Sequence, residues 1–394
     1  MGMSNVGMSH LGMPNAGARA WANISGEAIL RNYDTVRAIA GVDTMAVVKA
    51  DAYGHGVDVI APLLREHGVA WLGVALPSEA LALRAGGDTG KLLCWLSTPG
   101  EPDIAACVAA GVDMSVSSSR ELREISSAAH VHGVSANVHV KIDTGLSRNG
   151  LPLQELGSLL EELLVLIAQG VICVRGVWSH LASADHEDTA IAADSVAAQR
   201  AVFELALGQF ASVGIEPEVV HLANTAGALW HSDSRYNLVR VGIGIYGLSP
   251  NTQRESAAAL GLVPAMSVVA HLSSVKSAAT GAGVSYSHTW KAARDSVLGL
   301  VPLGYADGIP RSASNKVGVA IGGELVAQVG TIAMDQFVVD LTDCDCGIVA
   351  GSEVHVFGPG AHGEMTADSW GVASGSIGYE VVTRLGTRVP RVHV

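Results

Sequence analysis

The most informative absences in this sequence of 394 residues are a long apolar run, an excess of basic residues and a signal peptide. No stretch reaches the roughly 18 uninterrupted apolar residues of a membrane span, so no membrane partner is expected. Lysine and arginine number 24 against 37 acidic residues, and the net charge of −13 argues against a nucleic-acid partner. Residues 1–21 lack the basic start and apolar middle of an export signal. The cytoplasm is therefore the expected location.

Cysteine is also scarce, with five in the chain, and in the absence of an export signal these residues are expected to be reduced. Cys344 and Cys346 form a C-x-C pair, but no second pair lies nearby. Small core or loop residues are the favoured interpretation over zinc ligands, and no metal site is predicted. Apolar residues make up 49% of the chain, which is enough for a large core.

Short apolar runs recur eight times, with helical patterns between most of them. They are "MAVVKA" near 45, "WLGVA" near 71, "LLCWL" near 92, "DMSVS" near 113, "NVHVKI" near 137, "CVRGVWSH" near 173, "VVHLAN" near 219 and "LVRVGIGIYG" near 238. Strands that alternate with helices imply a parallel sheet. Eight such units in about 200 residues favour a (β/α)8 TIM barrel, and a doubly wound open sheet is the alternative.

The residue pattern changes past Pro250, where valine-rich runs are separated by Gly, Ser, Asn and Asp turns. This pattern predicts an α/β protein whose N-terminal barrel is followed by a mainly β C-terminal domain. The predicted divisions are a disordered leader over residues 1–18, the barrel over 19–255 and the β domain over 256–394. The early run "AWANI", residues 20–24, is expected to join the β domain.

Lys49 ends the first predicted barrel strand, in "AVVKADAYGHG". The active sites of TIM barrels lie where the strands end at their carboxyl face. Desolvation at such a position lowers the pKa of a lysine, which is what an imine-forming amine requires. The alternative is a lysine that extends into solvent at the start of a loop.

Four more basic or titratable residues lie on or at the end of other predicted barrel strands, and Arg148 follows one of them in a loop. The four are Lys141, His180, His221 and Arg240. So many cationic groups at one face of a barrel indicate a site for an anionic ligand.

The loops after the last two predicted strands offer a hydroxyl at Thr225 and free backbone N–H groups at Gly242 and Ile243. Loops at these positions often bind phosphate in TIM barrels. A phosphate site together with an imine-forming lysine suggests pyridoxal 5'-phosphate (PLP). A sugar-phosphate aldolase would use the same two features.

Nine sequence motifs and their order along the chain resemble the alanine racemase family, whose members are PLP enzymes of fold type III. The sequence as a whole is most similar to actinobacterial members. The nine motifs are "AVVKADAYGHG", "VKIDTGLSRNG", "WSHLASAD", "HLANTA", "VRVGIGIYGLSP", "GVSYSHTW", "PLGYADG", "VGTIAMDQ" and "GYEVVTRLGTRVPR". The resemblance extends from Ala20 to the end of the chain. It implies an isomerase that interconverts L- and D-alanine and supplies D-alanine for peptidoglycan.

The resemblance also implies the roles of individual residues. Lys49 would hold PLP covalently, and Lys49 and Tyr286 would be the two catalytic bases on opposite faces of the substrate. The other cofactor-binding residues would be Tyr53, His180, Asn224, Thr225, Arg240, Gly242, Ile243 and Tyr379, with His221 behind Arg240. Substrate contacts would come from Arg148, Met334, Asp335 and Tyr305, and Lys141 matches a lysine that is often carbamylated. The family forms head-to-tail homodimers, so Tyr286 would act in the partner's barrel.

Three positions depart from the family's usual pattern: Val241 replaces proline, Thr225 replaces serine and Ser287 replaces glycine. Two related classes are alternatives to a racemase. A fold type III decarboxylase would carry a glycine-rich phosphate loop and a catalytic cysteine, whereas "GVSYSHTW" stands in this chain. A non-catalytic PLP carrier would be a single barrel without a β domain.

Overall fold

The computed structural model describes residues 18–344 and 347–394, so residues 1–17 of the predicted leader lie outside the described residues. Eight parallel strands form a nearly closed barrel, whose seam lies between the seventh and eighth strands. In chain order they are Asp43–Val47, Trp71–Val74, Lys91–Cys94, Asp113–Val116, Ala136–Asp143, Ile172–Trp178, Val219–His221 and Leu238–Val241. Each coincides with one of the eight predicted runs, and the prediction of a TIM barrel is confirmed.

Helices surround the barrel, and the first of them follows Ser25, whose hydroxyl accepts a hydrogen bond from the Ala28 amide at 3.2 Å. That helix ends at Gly41, where a φ of 69° favours glycine. The barrel helices are Gly26–Ala40, Val57–Glu66, Pro77–Ala85, Asp103–Ala109, Ser119–His132, Leu156–Ala168, Thr189–Ser212 and Thr225–Trp230. None of the helices in the described parts of the chain is long and apolar enough to cross a membrane.

A second sheet of nine strands makes up most of the C-terminal part, as the valine-rich runs predicted. In sheet order its strands are Ser274–Ala278, Ser296–Val301, Phe337–Asp340, Glu324–Val329, Gly318–Ile321, Glu353–Phe357, Met266–His271, Ala20–Ile24 and Arg391–His393. Strand Ala20–Ile24 therefore lies in this sheet, antiparallel to Met266–His271 and parallel to Arg391–His393. Two short helices, Ala367–Ala373 and Gly378–Thr383, lie in the chain between the strands Glu353–Phe357 and Arg391–His393.

The end of the chain covers the loop that follows the first barrel strand. The Arg391 guanidinium donates to the Gly54 carbonyl at 2.8 Å, and His393 Nε2 lies 2.9 Å from the His55 carbonyl. Helix Gly378–Thr383 packs so closely that a Cβ on Gly54 would lie 2.5 Å from the Val382 carbonyl oxygen. The loop beside Lys49 is thus held in place by residues more than 300 positions further along the chain.

The interior of the barrel is not wholly apolar. Asp113, His139, Lys141, His221 and Arg240 are all buried within it. Buried polar groups of this kind are costly unless they are hydrogen-bonded, so their partners decide how the barrel core is organised.

Candidate active site

A cavity of about 220 Å³ lies at the carboxyl ends of the barrel strands, where TIM-barrel enzymes carry their active sites. Eleven of the residues singled out in the sequence line it together. They are Lys49, Tyr53, Lys141, Arg148, His180, Asn224, Thr225, Arg240, Gly242, Ile243 and Tyr379. Four of these side chains are lysines or arginines, and Asp185 is the one carboxylate in the described lining. The cavity therefore suits an anionic ligand.

Lys49 enters this cavity from an unusual turn of backbone. The residues Ala50 to Tyr53 all have φ between 53° and 56°, so they form one left-handed helical turn. This conformation costs about 1–2 kcal/mol per residue for L-amino acids. Local strain of this kind persists only where tertiary contacts enforce it, and it is concentrated at functional sites. The turn brings the Lys49 ammonium to 5.8 Å from the ring centre of Tyr53, which is four positions further along the chain.

Two carboxylates accept hydrogen bonds from backbone amides at the start of this turn and just after it. Glu79 accepts a hydrogen bond from the Ala50 amide at 2.6 Å, and Asp51 accepts one from the Val57 amide at 2.8 Å. Burial, and then the nearby Arg148 guanidinium, lower the pKa of Lys49. Lys49 is thus a partly desolvated amine with a reduced affinity for protons, and not a lysine that extends into solvent.

Arg240 lies in the barrel interior with both terminal nitrogens fully engaged. One donates to His221 Nδ1 at 3.0 Å, and the other donates to the Ser179 carbonyl at 2.8 Å and to His180 Nδ1 at 3.2 Å. The guanidinium also lies 4.7 Å from the ring centre of Trp178. Burial lowers the pKa of Arg240 to about 9, so the group still carries its charge near neutral pH. Burial and the charge of Arg240 keep both histidines neutral by lowering their pKa values.

Lys141 is buried beneath the cavity, 4.6 Å from the ring centre of Trp178. Among residues 18–344 and 347–394, no carboxylate lies within 4.0 Å of its ammonium group. The nearby Asp143 carboxylate accepts hydrogen bonds from the Gly145 and Ser147 amides instead. Burial, and then Arg240 and Arg148, lower the pKa of Lys141 to about 8.

The far wall of the cavity contains hydroxyls and backbone amides. The Gly242 amide donates to the Thr225 hydroxyl at 3.2 Å, and the rings of Tyr53 and Tyr379 lie 6.4 Å apart. A Cβ at Gly242 would lie 2.3 Å from the Tyr53 hydroxyl, so only glycine allows this approach. Asn224 caps the helix Thr225–Trp230 by accepting from the Gly227 amide.

Four residues that the sequence assigned to the site do not line the cavity. Tyr286, Tyr305 and Met334 are exposed on the β domain, with 68%, 43% and 52% of their surface accessible. Asp335 is also exposed and pairs with Arg388 at 2.8 Å. One folded chain therefore brings Lys49 and its neighbours together but leaves Tyr286 outside the cavity.

The turn that carries Tyr286 is strained on both sides. Ser285 has a φ of 56° and a ψ of −166°, a region that is almost exclusive to glycine, and its hydroxyl donates to the Thr331 carbonyl at 2.6 Å. Ser287 has a φ of 61°, so the serine that replaces the family's usual glycine adopts a left-handed conformation. The Tyr286 side chain between these two serines is exposed.

Sequence reasoning missed six residues of the cavity lining, among them Trp95, Trp178 and Asp185, whose side chains are aromatic or charged. Trp95 and Trp178 lie at or just after the ends of barrel strands, in "LLCWL" and "VWSHLASAD". A polar residue at a strand end indicates a functional site in the sequence. An aromatic residue at the same position is equally typical of an apolar core, so it gives no such signal. Of the C-x-C pair, Cys344 is partly buried and Cys346 lies outside the described residues.

Two family models match the chain, the alanine racemase N-terminal domain over residues 24–250 and the C-terminal domain over residues 265–393. An alanine racemase of Frankia casuarinae is 46% identical over 377 residues, which cover 95% of this chain and 96% of that protein. The crystal structure of alanine racemase from D-cycloserine producing Streptomyces lavendulae matches with a TM-score of 0.92 and 41% identity, covering 97% of this chain and 98% of that one. The alanine racemase of Bartonella henselae, solved with covalently bound pyridoxal phosphate, matches with a TM-score of 0.82 and 28% identity over 96% of this chain and all of that one.

Proposed function

Since this chain belongs to the alanine racemase family, we propose that it binds PLP through Lys49 and interconverts L- and D-alanine with Lys49 and Tyr286 as its two bases. The observation that carries the proposal is the cationic cavity at the barrel mouth. It contains a desolvated lysine amine at one wall and a glycine-lined wall with a hydroxyl at the other.

The residues present fit PLP at its phosphate and its pyridine nitrogen as well as at the carbon that Lys49 would bind. Tyr53, Thr225, Tyr379 and the backbone of Gly242 and Ile243 would hold the phosphate, since amides and hydroxyls can bind an anion without a lysine. Asn224 would support this wall through its helix cap. Arg240 would face the pyridine nitrogen with His180 beside it and His221 behind it. An arginine side chain donates and cannot accept, so it would leave that nitrogen without a proton.

When bound, PLP would supply an electron sink for the electron pair that stays on the α-carbon when its proton is removed. The protein must then remove that proton from one face and return one to the other. The lowered pKa of Lys49 supports its role as the base on its own side, since a neutral amine can accept a proton. Arg148 would orient the substrate carboxylate, and Lys141, with a pKa of about 8, is a candidate for carbamylation.

The second base requires another copy of the chain. Tyr286 is two-thirds exposed and outside the cavity of its own barrel. The Thr331 hydroxyl donates to the Tyr286 carbonyl, and the segment after Thr331, which contains Met334 and Asp335, accepts backbone hydrogen bonds from the turn of Tyr305. These exposed positions support a head-to-tail homodimer in which the partner's Tyr286 completes each site. Met334 and Asp335 would then contact the substrate carboxylate, and Tyr305 would line the entrance.

We also propose that the protein acts in the cytoplasm and supplies D-alanine for peptidoglycan. This proposal follows from the activity alone, because D-alanine is the product that wall synthesis consumes. A strain that lacks the gene should require added D-alanine, and growth without it would contradict this role.

Borohydride reduction followed by peptide mapping tests the site directly. The expected result is one reduced PLP tag, on Lys49, in a protein that converts either pure isomer of alanine to the racemic mixture. A tag on another lysine, or no tag, would contradict the assignment. Release of carbon dioxide in place of racemisation would favour the decarboxylase alternative.

A further inference from the structure

A line of four buried side chains crosses the barrel from its amino-terminal face to the active-site cavity. It consists of Asp113 at the start of the fourth strand, His139 in the fifth, His221 at the end of the seventh and Arg240 in the eighth. The side chains of Asp113 and His139 are at most 1% exposed, and His221 is fully buried. We call this line the buried chain.

Each step of the buried chain is a hydrogen bond between side chains. Asp113 Oδ2 lies 3.1 Å from His139 Nε2, and His139 Nδ1 lies 2.9 Å from His221 Nε2. His221 Nδ1 lies 3.0 Å from Arg240 Nη1. The far end is anchored by Arg175, whose Nη1 donates to both oxygens of Asp113 at 2.9 and 3.1 Å.

The chemistry of the two ends fixes the direction of every hydrogen bond. Arginine can only donate, so His221 Nδ1 must accept and carry no proton. A neutral imidazole has one N–H, so His221 must donate from Nε2 to His139 Nδ1. His139 must then donate from Nε2 to Asp113, and a carboxylate is an acceptor. The assignment that starts from Asp113 gives the same result, so both ends impose one set of tautomers.

The surroundings of the buried chain favour neutral rings. Trp178 stacks on His221 with an angle of 10° between the planes, and Trp71 meets His139 edge-on. Burial lowers the pKa of both histidines, and the charge of Arg240 lowers that of His221 further. Gly176 leaves room for His139, because a Cβ there would lie 2.3 Å from its ring nitrogen. In such an apolar shell a hydrogen bond is strong and a mismatched pair of donors is costly.

From this geometry we propose that Asp113 is a positioning residue for the cofactor-facing Arg240, and that it acts through the tautomers of His139 and His221. The proposal rests on the proposed function, in which Arg240 faces the pyridine ring. Asp113 sets the proton on each histidine so that an acceptor always meets the guanidinium. A residue at the opposite face of the barrel thereby controls the orientation of a group in the active site.

Asp113→Asn is the decisive substitution because it preserves shape and replaces one acceptor oxygen by a donor. Arg175 retains the remaining oxygen, so the amide nitrogen faces His139 and reverses both tautomers. His221 Nδ1 then carries a proton toward the Arg240 N–H, and two donors oppose each other. An aspartate-to-asparagine change beside a histidine is expected to impose the wrong tautomer in just this way.

Three measurements test the proposal. In the PLP-loaded wild-type enzyme, nitrogen-15 NMR of labelled histidine should find His221 and His139 protonated at Nε2 and unprotonated at Nδ1. In D113N the turnover number should fall by about tenfold to a hundredfold while the KM for alanine stays within about twofold. The pH titration of the bound cofactor's visible absorbance should also shift, since the group facing its ring nitrogen has moved. Asp113→Glu, which keeps an acceptor, should recover most of the turnover.

Asp88→Asn is the matched control. Asp88 is also a buried carboxylate held by two arginines, Arg65 at 2.6 Å and Arg84 at 2.7 Å, but it has no connection to Arg240. D88N should leave turnover and absorbance unchanged. Should D113N not fold, His139→Phe severs the buried chain and should cause the same losses.

A proton on His221 Nδ1 in the wild type, or a D113N enzyme with unchanged turnover and absorbance, would overturn the proposal. Failure of the proposed function looks different. In that case the wild type itself would bind no PLP or racemise no alanine, whereas the histidine tautomers would still be measurable.

Discussion

Lys49 and Tyr286 stand in opposite surroundings within one chain. Lys49 lies in a partly closed cavity whose walls are held by buried hydrogen bonds, and its pKa is lowered by burial. Tyr286 is 68% exposed on a strained turn of the β domain, away from that cavity. The barrel half of the proposed site is assembled by the fold of a single chain, whereas the tyrosine half would come from a second copy in the proposed homodimer. Substitutions in the two halves should therefore fail in different ways.

The largest effect is expected from Lys49→Ala. If the proposed roles are right, loss of the amine removes both the covalent attachment of PLP and one base, so racemisation should fall by about four orders of magnitude or more. A chiral assay for D-alanine measures the rate, and the visible absorbance of the protein measures attachment. Lys276→Ala on an exposed strand is the control and should change neither. Retained racemisation by K49A would contradict the proposal that Lys49 and the barrel half carry out the chemistry.

Tyr286→Phe should leave attachment of PLP intact and lower racemisation by about 10²–10⁴, the usual contribution of a positioned acid or base. Mixing K49A and Y286F dimers under conditions that exchange subunits should then restore activity. Half of the dimers would be mixed, and each would have one intact site of two, so about a quarter of the wild-type rate is expected. No recovery on mixing would mean that Lys49 and Tyr286 act within one chain, and the comparison between the two halves would be wrong.

A smaller effect is expected on the free energy of unfolding, because burial in the barrel half disfavours the charged form of Lys141. Lys141 has a pKa of about 8 in the folded protein, against an ordinary value of 10.5. The unfolded chain therefore binds more protons between those values, and the free energy of unfolding should rise with pH across that window. Lys141→Met should stabilise the PLP-free protein at pH 7 by about 1–3 kcal/mol, and the gain should disappear above pH 10.5.

Urea unfolding in buffers free of carbon dioxide measures this difference, because carbamylation would remove the charge. Lys276→Met is the control and should change the free energy of unfolding by less than about 0.5 kcal/mol at either pH. A K141M protein that is less stable than the wild type at pH 7 would show that the lysine has a compensating partner.

The smallest effect is expected in the exposed half. Ser287→Gly replaces a left-handed serine by the residue that tolerates this conformation, and it should stabilise the protein by about 0.5 kcal/mol. Ser277→Gly in the exposed strand Ser274–Ala278 is the matched control and should destabilise it by about 0.5–1 kcal/mol. Thermal unfolding compares the two variants. Destabilisation by both would indicate that the turn around Tyr286 is relaxed.

The family and the fold were predictable because they follow from ordered motifs and periodic apolar runs, and both predictions were confirmed. Lys49 at a strand end was also visible in the sequence. The left-handed turn after it was not, since Ala50 to Tyr53 contains no glycine and local preference opposes a positive φ. The pairing of His139 with His221 was equally hidden, because strand periodicity indicates which residues face inward but not which of them meet across a barrel. The roles assigned to individual site residues stay predictions.

The left-handed turn has a consequence for the order of events during synthesis. The loop that follows this turn is held by Arg391, His393 and the helix Gly378–Thr383, which leave the ribosome after the barrel strands. A nascent chain that has already made its eight barrel strands still lacks these contacts with Gly54 and His55. Capture of the vitamin-derived cofactor should therefore be a post-translational event, and a shortened chain that stops before residue 378 should remain colourless.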